Sequence, residues 1–130
     1  MSDPRNLRVL EAALQFAAAV HEHIDTFDIT RAPRVRAQLL RAADSVPANI
    51  AEGARGTRVQ RQNYFRIARG SADEVGVHLR VARNAGAIAE QRYWSCENKR
   101  VVVCKMLTRL LRALDEEEAY DLDCTHRPRP

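Results

Sequence analysis

Apolar residues recur along this chain every three or four positions, the period of an amphipathic α-helix and not of a strand. Leu7, Leu10, Leu14, Ala17, His21 and Ile24 follow spacings of 3, 4, 3, 4 and 3. They predict a first helix over about residues 6–27, with Asp3 and Pro4 just upstream, where a cap and a first-turn proline belong. After a break near residues 28–33, Thr30 is the expected cap of a second helix over about 33–54, and Pro33 suits its first turn. Val35, Leu39, Ala42, Ala43, Val46 and Ile50 form its stripe. Pro47 falls inside, where it removes one N–H and presses on the carbonyl of Ala43. The apolar pattern continues through Ile50, so a bend is expected there and not a break. Gly53 and Gly56 end the segment.

Thr57-Arg-Val-Gln60 reads as a capping box opening a third helix over about 58–85, with Gly86 as its stop. Its predicted stripe is Tyr64, Ile67, Ser71, Val75, His78, Ala82 and Ala85. Gly70 sits mid-helix, where glycine costs about 1 kcal/mol relative to alanine; close approach of a neighbouring helix is the usual return. The fourth helix is predicted over about 90–118, with Trp94, Val101, Cys104, Leu107, Leu111 and Leu114 as its stripe. Asp115, Glu116, Glu117 and Glu118 crowd its C-terminal end, which the helix dipole disfavours; fraying or a basic partner nearby is the expectation. Four amphipathic helices with short connections predict an all-α, up-down-up-down bundle over residues 1–120, followed by a disordered polar tail over 121–130.

Composition agrees with this reading. The 130 residues suit one domain. Alanine occurs 20 times, Gly and Pro five times each, and aromatic residues make up only 5%. That balance favours helices over sheets and excludes disordered, collagen-like and low-complexity chains. No stretch approaches the roughly 18–20 uninterrupted apolar residues of a membrane span, and the polar start lacks a signal-peptide core, so a cytoplasmic location is expected. Cys96, Cys104 and Cys124 are odd in number and fit no metal-ligand spacing; free thiols are expected, with no metal or cofactor.

Charge is unevenly placed. The net charge is +4, and 19 of the 21 cations are Arg. Between Arg31 and Arg69 there are nine arginines against Asp44 and Glu52 alone, whereas residues 113–123 carry six acids and no cation. Arg55, Arg58, Arg61, Arg66 and Arg69 form a basic corner around the second connection and the start of the third helix. Such a corner is the electrostatic footprint of a nucleic-acid binder, and also what a solvated surface in an Arg- and Ala-rich chain looks like. Only Tyr64 and Phe65 lie nearby, too few for a base-stacking platform, so phosphate contact is the mode to expect.

Polar residues are also set into the apolar stripes. Arg41, Ser45, Asn49 and Glu52 share one face of the second helix, and Ser71, Glu74 and His78 one face of the third. The first reading is a structural hydrogen-bond network in which Arg41 neutralises Glu52 or Glu74 while Ser45 and Asn49 satisfy backbone freed by Pro47. The competing reading is an active site, since Arg, Ser, Asn, Glu and His can assemble an oxyanion binder and a general base. No nucleophile, phosphate-loop or metal motif accompanies them, so no catalytic residue is assigned and a non-enzymatic protein is expected.

Two strings in the chain are distinctive: Gln38-Leu-Leu-Arg-Ala-Ala-Asp-Ser-Val-Pro-Ala-Asn-Ile-Ala-Glu-Gly53 and Tyr64-Phe-Arg-Ile-Ala-Arg-Gly-Ser-Ala-Asp-Glu74. Together they resemble the two signatures of the 23S rRNA intervening-sequence protein family, also called the four-helix bundle protein family. The resemblance spans roughly Leu7 to Leu114, with Arg41, Ser45, Pro47, Asn49, Glu52, Gly53, Gly70, Ser71 and Glu74 at signature positions. The second string departs from the pattern at Ala72 and Asp73. The resemblance implies a four-helix bundle assembling as a homopentamer. It also implies kinship with accessory proteins of diversity-generating retroelements, basic pentamers that bind nucleic acid and work with a reverse transcriptase. An RNA- or DNA-backbone-binding homo-oligomer is the first expectation, and an adaptor for a protein partner the second.

Overall fold

The computed structural model describes residues 3–126, with side chains through residue 124. It consists of α1 (Pro4–Ile24), α2 (Val35–Ala54), α3 (Arg58–Asn84) and α4 (Glu90–His126), and no strand occurs among the described residues. Each helix packs on its two sequence or ring neighbours: α1 on α2, α2 on α3, α3 on α4 and α4 back on α1, with the backbones of the diagonal pairs held apart across the core. Cross-helix contacts fix the antiparallel sense. Asp25 pairs with Arg36 across α1–α2, Arg41 with Glu74 across α2–α3, and Arg83 with Glu90 at one end of α3–α4 while Arg66 meets Asp115 towards the other. This is an up-down-up-down bundle.

The ends follow local chemistry. The Asp3 carboxylate caps α1 by accepting from the Arg5 N–H, and Pro4 occupies the first turn. Thr57 and Gln60 form a complete capping box on α3. Gly86 adopts φ +73° and lets the Ala87 N–H reach back to the Ala82 carbonyl at 2.8 Å, closing α3. At α2 the expectation fails: the helix begins at Val35, after Arg34, which makes no side-chain cap. Thr30 bonds instead to the Asp28 carboxylate within the connection, and Pro33 precedes the helix. α1 likewise stops at Ile24, although Phe27 beyond it is buried. α2 runs unbroken through Pro47.

The α2 stripe is the buried one, and all six of its apolar positions lie in the core. On the other helices the core face is turned about one position from the expected stripe. On α1, Ala17 and Ile24 of the expected stripe are buried, but Leu7 and Leu14 are about half exposed and His21 is exposed, while Val9, Ala13, Phe16 and Val20 fill the core. This helix is apolar on most sides, so periodicity alone does not choose between the two stripes; burying Phe16 chooses. On α3, Phe65, Ala68, Ala72, Val75, Leu79 and Ala82 face inward, and Ile67 faces out. On α4, Tyr93, Cys96 and Val103 replace Trp94, Val101 and Cys104, before Leu107, Leu111 and Leu114 resume the expected face.

α4 also extends past its expected end to His126. Residues 121–126, expected in a disordered tail, are helical; the remaining tail residues 127–130 lie outside the described residues. The reason is electrostatic: acids of these turns meet cations of α3, and the extension leaves residues 115–118 away from the last turn, where the dipole acts.

Candidate nucleic-acid interface

The five arginines of the basic corner have different surroundings. Arg55 follows the last turn of α2 and lies 3.3 Å from the Glu52 carboxylate. Arg58 is largely covered and pairs with Asp121 of α4. Arg61 donates to the Gly56 carbonyl at 2.9 Å. Arg66 donates to Asp115 at 3.0 Å. Arg69 is half-buried with no carboxylate partner among the described residues. The basic corner and the acidic end, which are separate in the sequence, are therefore clamped together, and three of the five arginines are neutralised by acids of this same chain.

A cavity of about 500 Å³ lies at this end of the bundle, among Arg5, Asn6, Arg55, Gly56, Arg61 and Glu117. Arg5 inside it is tied to Asp3, whose carboxyl is held below the ordinary carboxylate range by that same hydrogen bond.

Position along the chain hid a second group of cations. Lys105, Arg109 and Arg112 follow spacings of 4 and 3 on the exposed face of α4. Arg109 shares the α1–α4 groove with Arg8, and Arg112 shares the α3–α4 groove with Arg69. None of these five forms an ion pair among the described residues. Asp115 and Glu116 line the groove of Arg69 and Arg112 as well, and Asp73 lies beside Arg100. The spacings of 4 and 3 within α4 were the available signal, and the acidic run that follows in the same helix concealed it.

The polar network lies along the α2–α3 seam. Arg41 donates to Glu74 at 2.7 Å, and His78 lies 3.6 Å from the same carboxylate. The Ser45 and Ser71 hydroxyls meet at 2.9 Å. The Asn49 amide donates to the Ser45 carbonyl and hydroxyl, and not to the Ala43 carbonyl beside Pro47. Glu52 is outside the network, on Arg55. These groups are successive rungs between two helices and do not converge on one point, as a catalytic constellation does.

Glycines mark the two sides of α3. A Cβ on Gly53 would lie 2.9 Å from the Tyr64 Cβ and 3.0 Å from the Phe65 ring, so this glycine allows the α2–α3 contact. A Cβ on Gly70 meets nothing within 4 Å, so no helix of the chain approaches it, contrary to expectation. Around Gly70 the outer face of α3 presents Ile67, Val77 and Val81, each about half exposed.

All three thiols are free: Cys96 buried, Cys104 half-buried and Cys124 exposed. Burial pushes the Cys96 thiol up to about 11, and also raises that of Cys104. Among the described residues no group of His, Cys, Asp and Glu has metal-site geometry, and no helix is long and apolar enough to cross a membrane.

The model of the 23S rRNA-intervening sequence protein family matches residues 5–109. The chain belongs to that family. A crystal structure of a protein of unknown function from the S23 ribosomal protein family of Bacteroides thetaiotaomicron shares its fold. The TM-score is 0.72 at 22% sequence identity, covering 83% of this chain and 98% of that one. No curated protein matches the chain. The family match ends before Asp115, so the acidic last turns of α4 lie beyond the matched region.

Proposed function

We propose that this family member is a non-enzymatic bundle that assembles with copies of itself, in the five-membered form implied by the family resemblance, and binds the backbone of RNA or DNA through arginines. The observation that carries the reading is the run of Arg8, Lys105, Arg109, Arg112 and Arg69 in adjoining grooves across α4, without carboxylate partners among the described residues and joined to the α2–α3 corner through Arg69. Cations spaced over grooves match a phosphate backbone, and they bind it without reading sequence. Phe65 is wholly buried and Tyr64 half-buried, and the exposed Tyr120 of the last turns of α4 is too little for a stacking platform.

Self-association is supported by the outer face of α3. Gly70 weakens its own helix by about 1 kcal/mol and returns no close packing within the chain. With Ile67, Val77 and Val81 around it, the face suits a helix of another copy, and cyclic symmetry would repeat the basic band around the assembly. The same apolar face is what favours the second reading, an adaptor for a protein partner without a nucleic-acid role.

Fluorescence anisotropy with labelled RNA and duplex DNA at low and high salt separates the two. Binding that weakens with salt supports the first, with the salt slope falling by about 0.7–0.9 for each phosphate contact removed. R55A/R58A/R61A and R69A/R109A/R112A are both expected to weaken it, the second more strongly, because its arginines have no acid to release. No binding at low salt leaves the adaptor. Light scattering tests assembly, and a monomer at micromolar concentration contradicts it.

A further inference from the structure

The core of the bundle ends at Leu114, yet α4 continues to His126. From Asp115 to Cys124 every residue is exposed except Glu118, which is half-buried. What holds these turns against α3 is therefore polar. Asp115 accepts from Arg66 and from Gln62, both at 3.0 Å; Glu118 accepts from Gln62 at 3.0 Å; and Asp121 accepts from Arg58. A carboxylate on a guanidinium occupies the place that a phosphate oxygen would take, because both offer the same fork of donors a charged acceptor. Two of the five arginines of the candidate corner are thus occupied by anions of the chain's own last turns.

The closed arrangement is also imperfect. The Arg58 Nε is buried without a hydrogen-bond partner. A buried donor left unsatisfied weakens the state that contains it. Exposed ion pairs add little and are screened by salt. Asp115, Glu118 and Asp121 follow one another at spacings of three and repel along the helix, so these turns depend on the α3 cations as much as they cover them.

We infer that the acidic last turns of α4 are a built-in competitor for nucleic acid at Arg58 and Arg66, displaced when a phosphate backbone takes those guanidinium groups. The inference rests on the nucleic-acid reading above. It makes corner binding conditional: a short or sparsely charged ligand meets a corner already filled, and a polyanion that engages the α4 band first then replaces the acids. Binding and the order of the last turns are coupled, since the arginines cannot serve both partners.

The test compares two variants of equal charge change in the full chain. D115N/D121N removes the acids bonded to α3 arginines, and E116Q/E117Q removes their immediate neighbours, which line the grooves of Arg112 and Arg61 but make no hydrogen bond to α3. With a labelled single-stranded RNA and a labelled duplex DNA as probes, D115N/D121N is expected to tighten binding about tenfold. E116Q/E117Q is expected to tighten it about two- to threefold, by easing repulsion in the grooves of Arg112 and Arg61 without releasing a bonded arginine. Amide hydrogen exchange over residues 115–124 is expected to quicken when nucleic acid is added to the unmutated protein. Equal tightening by both variants, or unchanged exchange on binding, overturns the inference and leaves the nucleic-acid reading standing. Absence of binding by the unmutated protein and both variants overturns the reading and the inference with it.

Discussion

The α2–α3 seam and the last turns of α4 both join two helices of the same bundle, and they are held by opposite means. The seam is closed by shape: Leu39, Val46 and Ile50 of α2 and Phe65 and Leu79 of α3 are fully buried, and Gly53 removes the one Cβ that would hold the helices apart. Its polar rungs, Arg41–Glu74 and Ser45–Ser71, lie along the margin. The α4 turns beyond Leu114 bury no apolar side chain and depend on Arg58, Gln62 and Arg66. Apolar burial is proportional to area and is not screened by salt, whereas exposed ion pairs are weak, screened and exchangeable. One region therefore defines the fold and the other is free to change partners.

Four substitutions break or sharpen that contrast. Phe65→Ala is expected to cost the most, about 3–5 kcal/mol in denaturant unfolding, because a fully buried ring leaves a cavity at the centre of the seam. Gly53→Ala comes next, at about 1–2 kcal/mol of destabilisation: the added methyl meets the Tyr64 Cβ, which cannot swing away, and this outweighs the roughly 1 kcal/mol gained in helix propensity. Gly70→Ala is expected to have the opposite sign, stabilising the isolated chain by about 1 kcal/mol, because the site is open. If copies pack against that face, the same change lowers the apparent mass in light scattering. Asp121→Asn is expected to change stability by less than about 1 kcal/mol, and its effect should vanish at high salt; a loss comparable to that of Gly53→Ala would mean that the last turns belong to the folding unit.

The thiols offer a kinetic version of the same contrast. Labelling at neutral pH is expected to modify Cys124 first, Cys104 slowly and Cys96 only on unfolding. The Cys96 thiol is both covered and pushed up to about 11, so the reactive thiolate is scarce until the core opens. The sign of the linkage follows: the unfolded chain ionises this thiol first, so the stability associated with Cys96 is present at neutral pH and is lost as pH rises towards 11.

The helices were legible in the sequence because capping is local. Asp3–Pro4, Thr57–Gln60 and Gly86 act through backbone groups within a few residues, and all three behave as their chemistry requires. The α2 stripe was legible as well, because its apolar residues occupy one face only. The stripes of α1 and α3 were not: each offers two adjacent apolar faces, and the choice belongs to whichever packs Phe16 and Phe65 inside. The same limit governed the candidate site. The five arginines of the corner were visible as a cluster, while Lys105, Arg109 and Arg112 were masked by the acids that follow them.

The sequence by itself determined four helices, their order, most of their ends and the excess of arginine, since these depend on residue type and short spacing. Only the tertiary structure decided which cations remain available. Folding back α4 brings Asp115 and Asp121 onto Arg66 and Arg58, about fifty and sixty residues away, and leaves the α4 band unpaired. Charge is a property of the chain, but compensation is a property of distance, and distance between remote residues is settled only when the helices pack.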